Sequence, residues 1–344
     1  MLNKLRPSLI TSAPALLVIV IAIIVPQFLA TYWLFLCTAG FLTAIAAMGL
    51  AIIVGWIGEI SLAGAGLLGS SVYVSGYLLR EGTSNWNKWP FLIAVIAGIL
   101  VPMALSALIA IPTARFSGVY VMVLTMGLQI TLERTLFNVP WLVGGFGRNV
   151  VVTRPKVFGF SFDSDLRYFY LCFVAFMVAA LFVFLLRASR HGRAMNLVRI
   201  DARAAAAVGI SPLKYKIIGF AIGGGLIGFA GTFTAPLYRS PPAIVQFVLF
   251  QSLFTLAIPI VSGTQSLSGM FVVSMMFALI PTALQSHSWS PYLLGGVGLI
   301  AGTIVGPSGM GGNVGDILQK IKETKIMNAI TAQNHVAEAG ARDE

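Results

Sequence analysis

The chain has 344 residues, of which 58% are apolar and only 10% charged. Soluble domains run near 45–50% apolar and about 25% charged, and none needs successive windows of ~20 residues almost free of charge. The composition therefore excludes an ordinary globular protein, and the net charge of +11 does not signal nucleic acid, because the basic residues sit in short loops between apolar runs. That distribution is the positive-inside pattern of a polytopic membrane protein, with attraction to anionic lipid headgroups. The fold class that follows is an all-α transmembrane bundle.

A window of about 19 residues gives about ten spans. In chain order they are 8–26, 31–54, 60–79, 90–112, 117–137, 167–187, 215–235, 243–262, 268–286 and 290–307. The first follows Met1–Arg6 and lacks a small-residue cleavage site, so it reads as an uncleaved helix rather than a signal peptide. The third, seventh and tenth are rich in Gly and Ser, and each is a candidate for a broken or re-entrant segment. Lys and Arg place both termini in the cytoplasm. Trp86 and Trp89 suit an interfacial belt at the outer start of the fourth span. Residues 1–310 read as a single transmembrane domain and 311–344 as a polar cytoplasmic tail whose end is disordered. Cys37 and Cys172 fall in apolar runs and act as small hydrophobes. The three histidines are scattered and make no metal site.

Between the first spans, Gly55-Trp56-Ile57-Gly58-Glu59-Ile60-Ser61-Leu62-Ala63-Gly64-Ala65-Gly66 sets a carboxylate and a hydroxyl among four glycines. Glycines let backbone unwind at membrane depth, where it is tolerated only against protein or a water-filled path. The alternative is a plain cytoplasmic turn. Gly263 to Gly269 repeats the pattern Gly-x-x-Ser-Leu-x-Gly. Gln129 lies inside the fifth span, and an intramembrane polar side chain lines a path or bonds across helices. Residues 138–166 form a long outer loop with Gly and Pro. Residues 187–214 form the most basic cytoplasmic loop, in which Gly192 to Val208 predicts one helix ended by Gly209. On that helix Arg193, Asn196, Arg199 and Arg203 share a face, with Leu197, Ala204 and Val208 on another. It is either a connector on the membrane surface or a docking helix for a cytoplasmic partner. In the seventh span Gly219 and Gly223, then Gly224 and Gly228, repeat at four-residue spacing, which favours close helix packing.

Catalytic signatures are missing. There is no phosphate loop, no His-Glu-x-x-His helix, no Gly-x-Ser-x-Gly elbow and no carboxylate pair deep in a span. A transporter subunit, a channel and an ion-coupled carrier remain, and the last favours charged pairs near midplane.

Four segments resemble the inner-membrane permease subunits of the branched-chain amino-acid class of ABC importers, most closely the longer of the two paired permeases. They are Gly55 to Leu62, Phe116-Ser117-Gly118-Val119-Tyr120 leading to Thr125 and Gln129, Val143-Gly144-Gly145 followed by Arg154-Pro155, and Arg190 to Lys216. In this sequence Glu59 stands where the family commonly has Gln, and Gln129 where it has a carboxylate. The resemblance implies a fold like the vitamin-B12 and ribose permeases of ABC importers and no covalent chemistry in this chain. It implies as partners a second homologous permease, two cytoplasmic ATPases that bind ATP and Mg, and an extracytoplasmic solute-binding protein. The solute would be a branched-chain amino acid or a related small polar molecule, carried across the bacterial inner membrane. Gly58, Glu59, Ser61, Gly64 and Gln129 are the candidates for the path. Arg193, Asn196, Arg199, Asp201, Arg203 and Gly209 are the candidates for coupling to an ATPase. The rival reading is a carrier or channel for small amides or urea that works without ATPases.

Overall fold

The computed structural model describes residues 25–80, 90–114, 118–143, 152–157, 160–239 and 247–283. Most of the first expected span, the tenth span, Trp86, Trp89, Gly144, Gly145 and the tail 311–344 lie outside the described residues. The described chain is all-α apart from one small hairpin. Its helices are α1 (Thr31–Ala51), α2 (Gly64–Leu78), α3 (Pro90–Ala110), α4 (Val119–Arg134), α5 (Pro140–Val143) and α6 (Asp165–Ala188). There follow α7 (Arg190–Ile200), α8 (Ala202–Ala207), α9 (Pro212–Tyr238), α10 (Leu249–Ser262) and α11 (Leu267–Ala283). The hairpin pairs β1 (Lys156–Val157) with β2 (Phe160–Ser161), Lys156 opposite Ser161, in the expected outer loop.

Among the described residues, four helices are long and apolar enough to cross a membrane: Thr31–Ile57, Phe91–Ala110, Asp165–Ala188 and Pro212–Tyr238. Burial ranks them. The apolar windows of the first and last are 78% and 67% buried, against 22% and 33% for the other two. Thus α1 and α9 form the centre, and α3 and α6 flank it. The flanking helices turn Leu92, Ile96 and Leu100, and Val178, Leu181 and Leu185, outward, as helices bathed in hydrocarbon do.

Small residues bring the centre together. A Cβ on Gly223 would lie 2.7 Å from the Gly49 carbonyl of α1, and one on Gly224 would lie 2.7 Å from the Pro102 carbonyl of α3. Gly219 meets Ile57 in the same way, and Gly228 abuts the Gly98 carbonyl. The two four-residue spacings therefore point at two different neighbours, which is the small-residue packing expected from the sequence. They do not break the helix. The seventh expected span is a continuous 27-residue helix, so its glycines serve contact rather than unwinding.

The third expected span does break. The chain leaves α1 through a π-turn, Ile52–Ile57, which stops on Gly58 at φ +83°. It then runs non-helically to Gly64, so α2 has only 15 residues. At 1.5 Å per residue that is about 22 Å, short of the ~30 Å hydrocarbon core.

The single helix expected from Gly192 to Val208 is instead two. Ser189 caps α7, its Oγ accepting from Gly192 N at 3.2 Å. Asp201 adopts an extended conformation (φ −152°, ψ 109°) and caps α8, its carboxylate accepting from Arg203 N at 2.8 Å and Ala204 N at 3.1 Å. An Asp that can satisfy first-turn amides makes a helix start more favourable than helix continuation. Alanine-rich propensity alone hides this. The end of α8 follows the sequence reading: Gly209 sits at φ +80°, its N–H bonds the Ala206 carbonyl, and Ile210 N bonds the Ala205 carbonyl. That is the Schellman arrangement.

At the opposite end of the bundle, residues 152–157 and 160–165 are tied to the tips of α2 and α9. Val152 N donates to the Arg239 carbonyl at 2.9 Å, and Thr153 Oγ1 to the Leu79 carbonyl at 2.8 Å. Arg154 pairs with Asp165 and lies 5.0 Å above the Tyr168 ring, whose hydroxyl donates to the Phe233 carbonyl at 2.5 Å.

Candidate functional site

A helix that starts inside an apolar bundle exposes amide groups that no water can satisfy. At the start of α2 side chains from other helices take that role. Leu62 N donates to Thr125 Oγ1 of α4 at 2.9 Å, and Ala65 N to Ser252 Oγ of α10 at 3.0 Å. Gly66 N donates to Gln129 Oε1 at 2.5 Å. Ser61 Oγ accepts from Ala63 N at 3.4 Å.

Gln129 is the hub. Its Oε1 also accepts from Ser252 Oγ at 2.9 Å, and its Nε2 donates to the Phe247 carbonyl at 2.6 Å. It is fully buried and joins α4, α2 and the entry to α10. No atom of Gln129 faces open space. Gly66 has no room for a side chain here, since a Cβ would lie 2.6 Å from Gln129 Oε1.

Beside this junction is a cavity of about 470 Å³ between α1, α2, α9 and α10, a volume typical of small-molecule sites. Its walls are Leu42, Leu68, Phe247 and Phe254 among others, with Thr43, Thr234, Tyr238, Gln251 and Thr255 as polar groups. Among the described residues its lining carries no ionised side chain. Such a space suits a compact solute with an apolar body whose polar ends are met by hydroxyls, amides and backbone.

None of the five path candidates lines this cavity. Gln129 and Gly64 stand behind its wall, at the start of α2; a Cβ on Gly64 would lie 3.0 Å from Leu50 Cδ1. Ser61 is buried in the stretch between. Gly58 and Glu59 lie farther along, at the end that carries α7 and α8. A Cβ on Gly58 would lie 2.9 Å from Arg199 Cγ. Glu59 is buried, and its Oε1 accepts from Lys216 Nζ at 2.5 Å. The sequence reading passed over Thr43, Thr234, Gln251 and Thr255. Gln251 and Thr255, one turn apart on α10, were the available signal: polar groups repeating on one helical face within an apolar run.

The coupling candidates occupy the other end. Arg193 and Arg203 are exposed, and Arg193 Nη1 donates to the Ala188 carbonyl at 2.7 Å. Asn196 turns back on Gly192, its Nδ2 donating to that carbonyl at 3.1 Å. Arg199 reaches inward to the Gly55 carbonyl. The buried apolar residues of the pair are Ala194, Met195, Val198 and Ala205, whereas of the face that carries Leu197, Ala204 and Val208, Leu197 is half-buried and the other two are exposed. Val208 and Ile200 are 68% and 81% exposed. The Asp201 carboxyl is held below its ordinary value, first by the Ala204 amide and then by the Arg203 amide, so it stays an ionised cap at neutral pH.

An all-α membrane protein with a helix started inside the bundle, a cavity beside it and a basic helical segment at one end has the build of a transport protein. The chain belongs to the family described as branched-chain amino acid transport system, permease component, which matches residues 32–302. It is a multi-pass membrane protein. It is 27% identical over 278 residues to the high-affinity branched-chain amino acid transport system permease protein LivM of Salmonella typhimurium, covering 73% of this chain and 63% of that one. Against LivM of Escherichia coli the identity is 25% over 277 residues, with the same coverage. The chain thus spans 63% of the length of these curated relatives. No solved structure matches it.

Proposed function

We propose that the chain is the permease subunit of an ATP-driven importer that moves branched-chain amino acids, or a closely related small polar solute, by alternating access across the bacterial inner membrane. Energy enters from two cytoplasmic ATPases that bind ATP and Mg. A second permease completes the path, and an extracytoplasmic binding protein delivers the solute. This chain performs no covalent chemistry. The family and the names of its relatives support the solute class. The uncharged cavity, with its apolar body and scattered hydroxyls, fits an aliphatic zwitterion better than an ion.

The observation that carries the ATP-driven reading is the surface of α7 and α8. There the exposed side chains of Ile200 and Val208 sit among the exposed cations Arg193 and Arg203. Exposed apolar side chains beside arginines suit a protein-docking surface, since burying the apolar area against a partner is favourable and Arg is enriched at interfaces. With that end in the cytoplasm, as the Lys and Arg distribution directs, the surface faces the ATPases.

The test is uptake of radiolabelled leucine by cells lacking the chain and by cells complemented with it. Uptake that returns with the chain and stops on depletion of ATP supports the reading. Purified alone in liposomes, the chain should accumulate nothing. Concentrative uptake by the chain alone, driven by a proton or sodium gradient, would establish a secondary carrier instead.

A further inference from the structure

The connection between α1 and α2, a π-turn followed by a non-helical run, is gripped at two points, both by cations that bracket α8. The last turn of a helix leaves carbonyls without chain partners. Here the Gly55 carbonyl accepts from Arg199 Nη1, and from Gln265 Nε2 at 3.4 Å. Four residues on, Glu59 is held by Lys216 Nζ at 2.5 Å, and the same ammonium reaches the Thr113 carbonyl at the foot of α3, at 3.3 Å. The side chains of Glu59 and Lys216 are 6% and 13% exposed. Among the described residues Glu59 Oε2 has no hydrogen-bond partner.

Arg199 closes α7 and Lys216 stands in the first turns of α9, so the segment between them contains Ile200, α8, Val208 and Gly209. That is the exposed surface assigned above to docking. From Glu59 the chain runs through Ser61 to Ala65, which is in the cavity wall, and to Gly66, which Gln129 holds.

We infer that Lys216 and Arg199 are positioning residues: a two-point tether that carries movement of the docking segment into the α1–α2 break and so to the cavity wall. The inference rests on the ATP-driven reading. A rigid two-point link transmits rotation as well as translation, which a single contact does not. A buried ion pair suits the task because its cost is recovered only while both partners stay in register. The unpartnered oxygen of Glu59 leaves the lysine a second oxygen to move to when the segment turns.

The experiment uses the assembled complex in liposomes, reading ATP hydrolysis and leucine uptake together. Three variants are compared with the parent: Lys216→Met, Arg199→Met, and the double change Glu59→Gln with Lys216→Met, which leaves no stranded buried charge. The tether predicts that ATPases stay bound and hydrolysis stays near the parent's, while leucine moved per ATP falls about tenfold, the scale of a coupling free energy. The double variant should remain uncoupled although it folds normally. If the double variant restores parental uptake per ATP, the pair is a fold stabiliser and the tether is overturned. An unchanged ratio in Arg199→Met likewise removes that arm. A parent complex that retains no ATPase, or takes up leucine without ATP, refutes the underlying reading instead, and that outcome is visible before any variant is made.

Discussion

Gly66 gives its amide hydrogen to the side-chain oxygen of Gln129 at 2.5 Å, across two helices and 63 residues of chain. This bond and its neighbours let α2 begin inside the bundle. Replacing Gln129 with Leu strands the Gly66 amide and the Phe247 carbonyl together. At about 1–3 kcal/mol for each buried group left unpaired, Gln129→Leu should lower the thermal midpoint of the detergent-purified protein. Gly66→Ala, which drives a methyl into the same oxygen, should do likewise. A Gln129→Leu protein as stable as the parent would show that the α2 start is not held from α4.

Two glycines at nearly the same φ should respond differently to alanine. Gly58 and Gly209 lie at +83° and +80°, where a Cβ costs about 1–2 kcal/mol. Nothing lies within 4 Å of a Cβ on Gly209, whereas one on Gly58 would be 2.9 Å from Arg199 Cγ. Gly209→Ala should therefore lose only the backbone part, and Gly58→Ala should lose more. Equal losses, measured by thermal unfolding, would contradict the close packing of Arg199 over the turn.

On α9 the sign of a substitution should depend on which way the glycine faces. Gly223→Ala meets the Gly49 carbonyl at 2.7 Å, an overpacking worth about 1–3 kcal/mol of destabilisation. Gly225 has nothing nearer than 3.6 Å, so Gly225→Ala should stabilise by about 0.5–1 kcal/mol through helix propensity. Thermal midpoints moving in opposite directions are the expected result.

The cap on α8 carries a pH dependence. Because two amides hold the folded Asp201 carboxyl below its ordinary value, its contribution is fully present above the unfolded pKa and fades as pH falls through the folded one. Amide hydrogen exchange at Arg203 and Ala204 should accelerate on acidification of the native protein below the usual carboxylate range. In Asp201→Asn, which caps without ionising, the same amides should show no such step beyond the intrinsic rate change.

Solute contact is testable at Gln251, an exposed cavity residue. With Cys37 and Cys172 replaced by Ser, Gln251→Cys in the assembled complex should react with a maleimide, and excess leucine should slow the reaction. Equal rates with and without leucine would place the solute elsewhere.

Sequence alone settled the membrane class, the all-α build and the glycine packing, because each is written in local composition and period. Twenty-residue apolar windows, glycines four apart and a Gly at the end of an alanine-rich helix need no knowledge of what lies opposite. It marked Gln129 for the same reason, as an amide where apolar residues belong. Partnership was not legible. Glu59 looked like a group for solute because its charge was visible and Lys216, 157 residues away, was not recognisable as its partner. Arg199 is exposed, as the helical wheel suggests, but a wheel shows direction only and not the Gly55 carbonyl that its guanidinium also reaches. The break at Asp201 turned on whether a carboxylate caps or faces water, a choice settled by local backbone geometry. The cavity was the least legible feature, since Thr43, Thr234, Gln251 and Thr255 come from three helices and share nothing in sequence but mild polarity. Their convergence exists only because α1 and α9 meet glycine to glycine, and that contact sets where the remaining helices leave space.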